Sequence, residues 1–271
     1  MIMAESHRGE GAAGEYLSSL FSLHGKTALV TGASRGLGRA MAEALGSAGA
    51  ALALVASNAE RLEETRNSLG DAGVDAHVYA HDLSDMGGIS PLVDKIAADC
   101  GRIDVLVNAA GITKGHDALT YPPALWRSTL AVNLDAPFEL ARCCAAVMKK
   151  HGGGSIINVT SVNAEVGFPG NPAYIAAKGA LRQLTKALAL DWGKYRIRVN
   201  AIGPGYFRTD MTGGSWNDPA LRQQRADRTM LGRWGEPQEL AGLTLLLASD
   251  ASSYITGQSF YIDGGWLAKG L

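Results

Sequence analysis

From Lys26 onward, short β-branched or apolar runs of strand length alternate with longer stretches whose apolar residues recur at helical period. This alternation constrains the fold more than any other feature of the chain. The strand-length runs are Thr27–Thr31, Ala51–Ala56, Ala76–Tyr79, Val105–Asn108, Ser155–Val159, Val199–Ile202 and Ser259–Ile262. Helical stretches begin near Leu37, Ala59, Met86, Pro123, Ala173 and Pro237. Strand–helix alternation needs right-handed crossovers, so it predicts an α/β fold: a doubly wound parallel sheet of seven strands with helices on both faces. No repeat, low-complexity tract or linker interrupts residues 23–271, which read as one domain. Residues 1–22 read as an N-terminal arm with a short helical piece at Glu15–Leu20.

Composition then removes several classes of partner. Lys and Arg number 25 against 26 Asp and Glu, a net charge of −1, so no global positive field exists to hold a polyanion. Nucleic acid is not expected. The three cysteines, two of them the adjacent Cys143 and Cys144, offer no disulfide framework and fit a reducing compartment. No apolar run approaches the ~18 residues of a membrane span, so no membrane partner and a cytoplasmic location are expected. The 34 glycines sit mostly at the ends of apolar runs, where strands turn into helices.

In a doubly wound sheet, ligands bind outside the carboxyl ends of the strands, where the strand order reverses. Gly32–Gly38, Ser57–Asn58, Asp82–Leu83, Ala109–Gly111, Ser161 and Gly203–Thr209 directly follow strands and should converge on one crevice. After the first strand comes TGASRGLG, Thr31 to Gly38, leading into a helical stretch. Gly32, Gly36 and Gly38 would let the backbone approach a pyrophosphate, met by unpaired N–H groups at the helix N-terminus. That context favours dinucleotide binding over a purely structural turn.

The G-x-x-x-G-x-G spacing, HDLS with Asp82, NAAG from Asn108 to Gly111, VNL with Asn133, TSV with Ser161, YIAAK from Tyr174 to Lys178, GPGYFRT and a terminal IDGGW occur in one order. With these motifs the chain resembles the short-chain dehydrogenase/reductase family from about Phe21 to Leu271. The resemblance implies a Rossmann-type fold, a nicotinamide cofactor and a homotetramer. It assigns cofactor contacts to the glycine-loop residues Gly32, Ser34, Arg35, Gly36, Leu37 and Gly38. Further contacts are Asp82 and Leu83 at the adenine, Asn108, Ala109 and Gly111 at the adjacent ribose, and Pro204, Gly205, Phe207 and Thr209 at the nicotinamide. Ala109 departs from the commoner NNAG, which leaves one structural hydrogen bond unaccounted for.

Cofactor choice can be argued from charge. NAD-preferring enzymes carry an acid at the end of the second strand, which would repel a 2′-phosphate. Here that segment is LVASN, with Ser57 and Asn58 as hydrogen-bond donors and Arg35 nearby as a cation. NADP(H) is favoured, with NAD(H) as the alternative, although a second Arg common in NADP-preferring relatives is replaced by Ser57.

Tyr174 and Lys178 are four apart and share a helix face. A lysine ammonium and a positive nicotinamide ring would both favour the phenolate. Ser161, at a strand end, could hold the substrate oxygen while Tyr174 transfers the proton. The resemblance makes Asn133, Ser161, Tyr174 and Lys178 the catalytic set, with Asn133 holding a water beside the lysine; a helix-kink role for Asn133 stays open. Asp210–Arg233 reads as a lid over the substrate. His77 and His81 flank a strand rather than share a helix face, so no metal site is expected.

The expected activity is interconversion of a carbonyl and a secondary alcohol by hydride transfer. Its small-molecule substrate is suggested by likeness to sugar-acid oxidoreductases of the gluconate 5-dehydrogenase and 2-deoxygluconate 3-dehydrogenase type. FSLHGKTALVTG, GPGYFRTDM, GRWGEPQEL and DGGWLAK carry that likeness. Lys114, just after NAAG, is the candidate cation for a sugar-acid carboxylate, with Ser161 and Tyr174 at the reacting carbon. The alternative is a 3-oxoacyl-carrier-protein reductase, for which Arg222, Arg225 and Arg228 could dock an acidic carrier. A dinucleotide-binding protein without catalysis is the more distant alternative, disfavoured because Ser161, Tyr174 and Lys178 are all present.

Overall fold

The computed structural model describes residues 6–269. Seven strands form one sheet: β1 Thr27–Thr31, β2 Ala51–Ala56, β3 Ala76–Ala80, β4 Val105–Asn108, β5 Gly154–Val159, β6 Ile197–Pro204 and β7 Ser259–Ile262. All pairings are parallel, in the order β3-β2-β1-β4-β5-β6-β7. The chain winds outward from β1 to β3, then returns to β4 on the other side of β1. The loops after β1 and β4 therefore leave in opposite directions and open a crevice between them.

Both sheet faces are covered, which is why β1, β2 and β4 are mostly apolar rather than alternating. Leu29, Leu106, Ile156 and Val199 face one layer, filled by α4 (Ile89–Cys100), α6 (Ala136–Lys150) and the end of α7 (Pro172–Trp192). Val30, Val107, Ile157 and Ile202 face the other, filled by α2 (Gly36–Ser47), α3 (Ala59–Asp71) and α10 (Ala241–Ala248). Cys144 is fully enclosed in the first layer and Cys143 is buried beside it; all three cysteines are free thiols. No described helix is long and apolar enough to cross a membrane.

Three local features differ from the sequence reading. The N-terminal segment forms a helix, α1, over Ser6–Phe21, longer than the piece at Glu15–Leu20; Gly9, Gly11 and Gly14 hide it from a propensity argument. Strand β6 extends beyond Val199–Ile202. Arg198, within the strand, donates to the carbonyls of Leu247 and Ser249 and to Ser252 Oγ, while Asn200 donates to Ile255. These partners satisfy Asn200 and also Arg198, which the apolar pattern leaves outside the strand.

The helical stretch from Pro123 divides into α5 (Pro123–Leu130) and α6 through a wide π-type turn at Ala131–Asp135. Asn133 is at the centre of that turn. Beyond β6, the segment read as a lid contains a 3-10 turn at Asp210–Thr212 and two short helices, α8 (Gly213–Trp216) and α9 (Pro219–Asp227).

Candidate active site

The glycine loop after β1 builds the first wall of a crevice of about 280 Å³. Gly32 and Gly36 have φ of +67° and +56°, a backbone region that other residues adopt only with strain. A Cβ on Gly32 would come within 2.9 Å of Ala110 backbone, and one on Gly38 would overlap the Gly32 carbonyl oxygen. No side chain caps the N-terminus of α2, so its first N–H groups remain available at the crevice. A cradle of bare backbone with free donors suits a pyrophosphate.

Ser34, Arg35, Leu37, Ser57, Asp82, Leu83, Ala109, Gly111 and Thr209 complete much of the lining. Asp82 accepts from the N–H and the hydroxyl of Ser84, each at 2.9 Å, and these bonds hold its carboxyl below the usual range. Asn58 is engaged elsewhere, for its Oδ1 accepts from Arg61 N–H at 2.8 Å and caps α3. That cap brings Arg61, which sequence reasoning passed over, to the crevice rim. Arg35 Nη1 lies 2.7 Å and Arg61 Nη1 3.6 Å from Asp210 Oδ2, so two cations share one carboxylate at the mouth.

The floor of the crevice is held by Thr31, also missed in the sequence. Its hydroxyl accepts from the N–H groups of Ala109 and Ala110, both at 3.1 Å, so the hydrogen bond left unaccounted for at Ala109 has a local replacement. Asn108 does not turn its side chain to the crevice. It donates to Asn158 Oδ1 at 2.9 Å and to the Pro137 carbonyl at 3.2 Å, tying β4 to β5 inside the core. The paired strand register sets Asn108 beside Asn158, which explains the diversion.

A second cavity of about 240 Å³ adjoins the first, sharing Leu37, Ala109, Gly111, Thr209 and Met211 with it. Ser161, Tyr174 and Lys178 line this cavity together with Pro204, Gly205 and Phe207. Ser161 stands at the carboxyl end of β5, and Tyr174 and Lys178 lie one turn apart near the start of α7. Lys178 is 4% exposed; its Nζ donates to the Val159 carbonyl at 2.7 Å and is 5.7 Å from the centre of the Tyr174 ring. Burial lowers the Lys178 ammonium from 10.5 to about 8.

The expectation of a favoured phenolate at Tyr174 combines the lysine with a positive nicotinamide ring; in the protein alone burial dominates. Burial raises its phenol, the neighbouring Ser161 hydroxyl acts in the opposite sense, and Tyr206 raises it further. Desolvation outweighs the Ser161 hydrogen bond, so the protein alone presents a protonated hydroxyl, a proton donor.

Asn133 is fully buried and locks the floor loop: Oδ1 accepts from Ile112 N–H at 2.9 Å and Nδ2 donates to Ile112 C=O at 2.7 Å. A Cβ on Gly111 would come 2.9 Å from Asn133 Oδ1 and 3.7 Å from Lys178 Nζ. Glycine there lets the kinked turn and the lysine close on the same spot.

Lys114 is exposed on the loop after β4 and is absent from the cavity lining, which Thr113 reaches instead. The loop is held by a bond from His116 N–H to Gly170 C=O at 2.8 Å, and the Lys114 carbonyl accepts from Tyr121. The walls that sequence reasoning missed are Asn163, Phe168, Asn171 and Tyr206. Phe168 and Asn171 stand in an irregular segment between β5 and α7 that carries no periodic signal.

A family profile described as "Enoyl-(Acyl carrier protein) reductase" matches residues 32–267. The gluconate 5-dehydrogenase of Gluconobacter oxydans (strain 621H) is 38% identical over 246 residues, covering 91% of this chain and 96% of its own. The 5-keto-D-gluconate 5-reductase of Escherichia coli (strain K12) is 36% identical over 251 residues, covering 93% and 99%. A solved gluconate 5-dehydrogenase from Burkholderia cenocepacia J2315, in complex with NADP and tartrate, superposes with a TM-score of 0.90 at 36% identity, covering 94% of this chain and 100% of that one. Likeness over nearly the whole length, the parallel sheet, the glycine cradle and the serine–tyrosine–lysine cavity agree: the chain belongs to the short-chain dehydrogenase/reductase family.

Proposed function

We propose that this protein is an NADP(H)-dependent oxidoreductase that interconverts a ketone and a secondary alcohol on a sugar acid such as 5-ketogluconate and gluconate. The observation that carries the reading is the continuity of the two cavities, which brings a glycine-walled anion cradle into one space with Ser161, Tyr174 and Lys178. The cofactor, when bound, supplies or accepts the hydride. Gly32, Ser34, Gly36, Leu37 and Gly38 would hold its pyrophosphate, Asp82 and Leu83 its adenine, and Thr209 its nicotinamide amide. Ser161 would orient the substrate carbonyl and Tyr174 would donate the proton to its oxygen. Lys178, anchored to Val159, would keep positive charge beside that oxygen as negative charge develops there.

Sugar acids are supported by the named relatives and by polar side chains in the substrate cavity wall, Thr113, Asn163 and Asn171. Asn171 Oδ1 is buried there without a hydrogen-bond partner among the described residues, an acceptor suited to a substrate hydroxyl. A 3-oxoacyl thioester remains the second reading, favoured by the exposed Arg222 and Arg228 on and beside α9. Assaying reduction of 5-ketogluconate and of an acetoacetyl thioester with both cofactors separates the two. Faster turnover of the thioester would overturn the sugar-acid reading.

NADP(H) is expected to bind more tightly than NAD(H), because the end of β2 carries no acid and Arg35 and Arg61 meet at the rim. Both arginines are about half exposed, so each contributes only ~1 kcal/mol or less. Arg35→Ala and Arg61→Ala should each narrow the NADP-over-NAD preference by roughly 2- to 5-fold, and Asp210→Asn should widen it by removing the competing carboxylate. Titrations showing equal affinities for the two cofactors in the unmodified protein would exclude this assignment.

The same reading includes a homotetramer and a cytoplasmic location. Trp126 on α5 and Phe138 on α6 expose large apolar surfaces, which supports burial between subunits, and the three free thiols fit a reducing compartment.

A further inference from the structure

We propose that Arg225, on α9, is the anchor for the substrate carboxylate, a role that sequence reasoning gave to Lys114; this rests on the sugar-acid reading above. The Arg225 guanidinium lies between two rings of the substrate cavity wall, 5.1 Å from the centre of Phe168 and 5.2 Å from that of Tyr206. Tyr206 neighbours Tyr174 as well, so the cation stands one ring away from the group that handles the proton.

The hydrogen-bonding state of this arginine points to a missing partner. Its Nε is buried and has no acceptor among the described residues. No described carboxylate pairs with it, whereas Arg233, nearby in sequence, is held on both branches by Glu239 at 2.6 and 2.8 Å. A buried donor left without an acceptor is unfavourable, and a ligand oxygen relieves it. Stacking on aromatic faces leaves the in-plane N–H groups of a guanidinium free at its edge, the geometry that takes a carboxylate in two parallel hydrogen bonds.

The position also fits the substrate. A sugar acid reduced at a carbon far from its carboxylate needs the cation at the wall opposite the reacting centre rather than beside it. Ser161 and Tyr174 mark that centre, and Phe168 and Tyr206, against which Arg225 packs, line the same cavity. Neither Lys114 nor Arg225 lines either cavity, but Lys114 is exposed on the loop after β4 whereas Arg225 packs on two rings that do line the substrate cavity. A neutral polyol would gain nothing from Arg225, so the residue selects acid over polyol by affinity alone.

Two substitutions test this. Arg225→Met keeps a flexible apolar stem between the rings but removes the charge, and Arg225→Lys keeps the charge without the planar fork. Gluconate binding to the enzyme–NADPH complex, followed by NADPH fluorescence, is expected to weaken ~10- to 100-fold in the Met variant and less in the Lys variant. NADPH affinity itself should not move. KM for 5-ketogluconate should rise by a similar factor with kcat nearly unchanged, the pattern of lost uniform binding, while KM for a neutral ketose stays constant.

Equal gluconate affinity in the Met variant and the unmodified protein overturns the anchor. So does equal damage to charged and neutral substrates, or an unmodified protein that does not bind gluconate. A protein that binds gluconate through Arg225 yet reduces no sugar acid overturns the functional reading and leaves the anchor standing. A Met variant that reduces 5-ketogluconate with unchanged KM does the reverse.

Discussion

Tyr174→Phe is expected to lower turnover by ~10²-fold or more while leaving NADPH affinity unchanged within about twofold. The substitution removes one hydroxyl and keeps the ring that packs near Lys178 and Tyr206. Without the phenol, no other group in the cavity wall combines a transferable proton with the same position: the Ser161 hydroxyl is a much weaker acid than a phenol, and Lys178 Nζ is turned to the Val159 carbonyl at 2.7 Å. Burial raises the phenol, so Tyr174 stays protonated through neutral pH and carbonyl reduction should be fastest there. Alcohol oxidation requires the opposite protonation state and should rise with pH. Single-turnover reduction in the variant at a rate close to that of the unmodified protein would mean that another group supplies the proton.

Lys178→Met is expected to separate activity from stability. Turnover should fall by ~10²-fold, since a buried positive charge beside the developing alkoxide is lost. Folding should not suffer, and the sign follows from linkage. The buried ammonium titrates at about 8 in the folded protein against 10.5 in the unfolded chain. The unfolded state therefore binds more protons between about pH 8 and 10.5, and stability rises across that window. Below pH 8 the full desolvation penalty applies, about 3 kcal/mol for a shift of this size. Loss of the bond to Val159 offsets about 1 kcal/mol of the relief, so at pH 7 the Met variant should be more stable by about 2 kcal/mol. Denaturant titrations at pH 7 and pH 10.5 should show the two proteins converging at the higher pH. In the unmodified protein, reduction should also decline as pH rises through about 8. A variant destabilised equally at both pH values would rule out desolvation as the dominant force on Lys178.

The parts of the site closest to a strand end were legible in the sequence. Strand boundaries followed from apolar runs, and in a parallel sheet each loop after a strand must open on the same side. Gly32, Ser57, Asp82, Ala109, Ser161 and Pro204 could thus be assigned to one region from their order in the chain, and the structure brings them to two adjoining cavities. The split between α5 and α6 was not legible, because a π-type turn changes the hydrogen-bond register without changing composition. Its consequence is local and large: Asn133 reaches both polar groups of Ile112 only because the turn is widened.

The amino-acid sequence by itself determined the fold class through strand–helix alternation, the glycine cradle through spacing in one turn and the Tyr174–Lys178 pair through spacing on one helix, while Ser161, at the end of β5, joined them through the family resemblance. Tertiary structure alone decided where long side chains point. Asn108 ends a strand as the motif requires, yet pairing with Asn158 turns it into the core. Lys114 stands at the right place in the chain and faces outward, while Arg225, more than a hundred residues away, folds back between Phe168 and Tyr206. Arg35 and Arg61 meet only because Asp210 crosses the crevice from the far side of the sheet. The physical reason is common to all five side chains. Local geometry is set by short-range sterics and hydrogen bonding that sequence order encodes, whereas the destination of a polar side chain depends on which buried donors and acceptors remain unpaired once distant segments have packed.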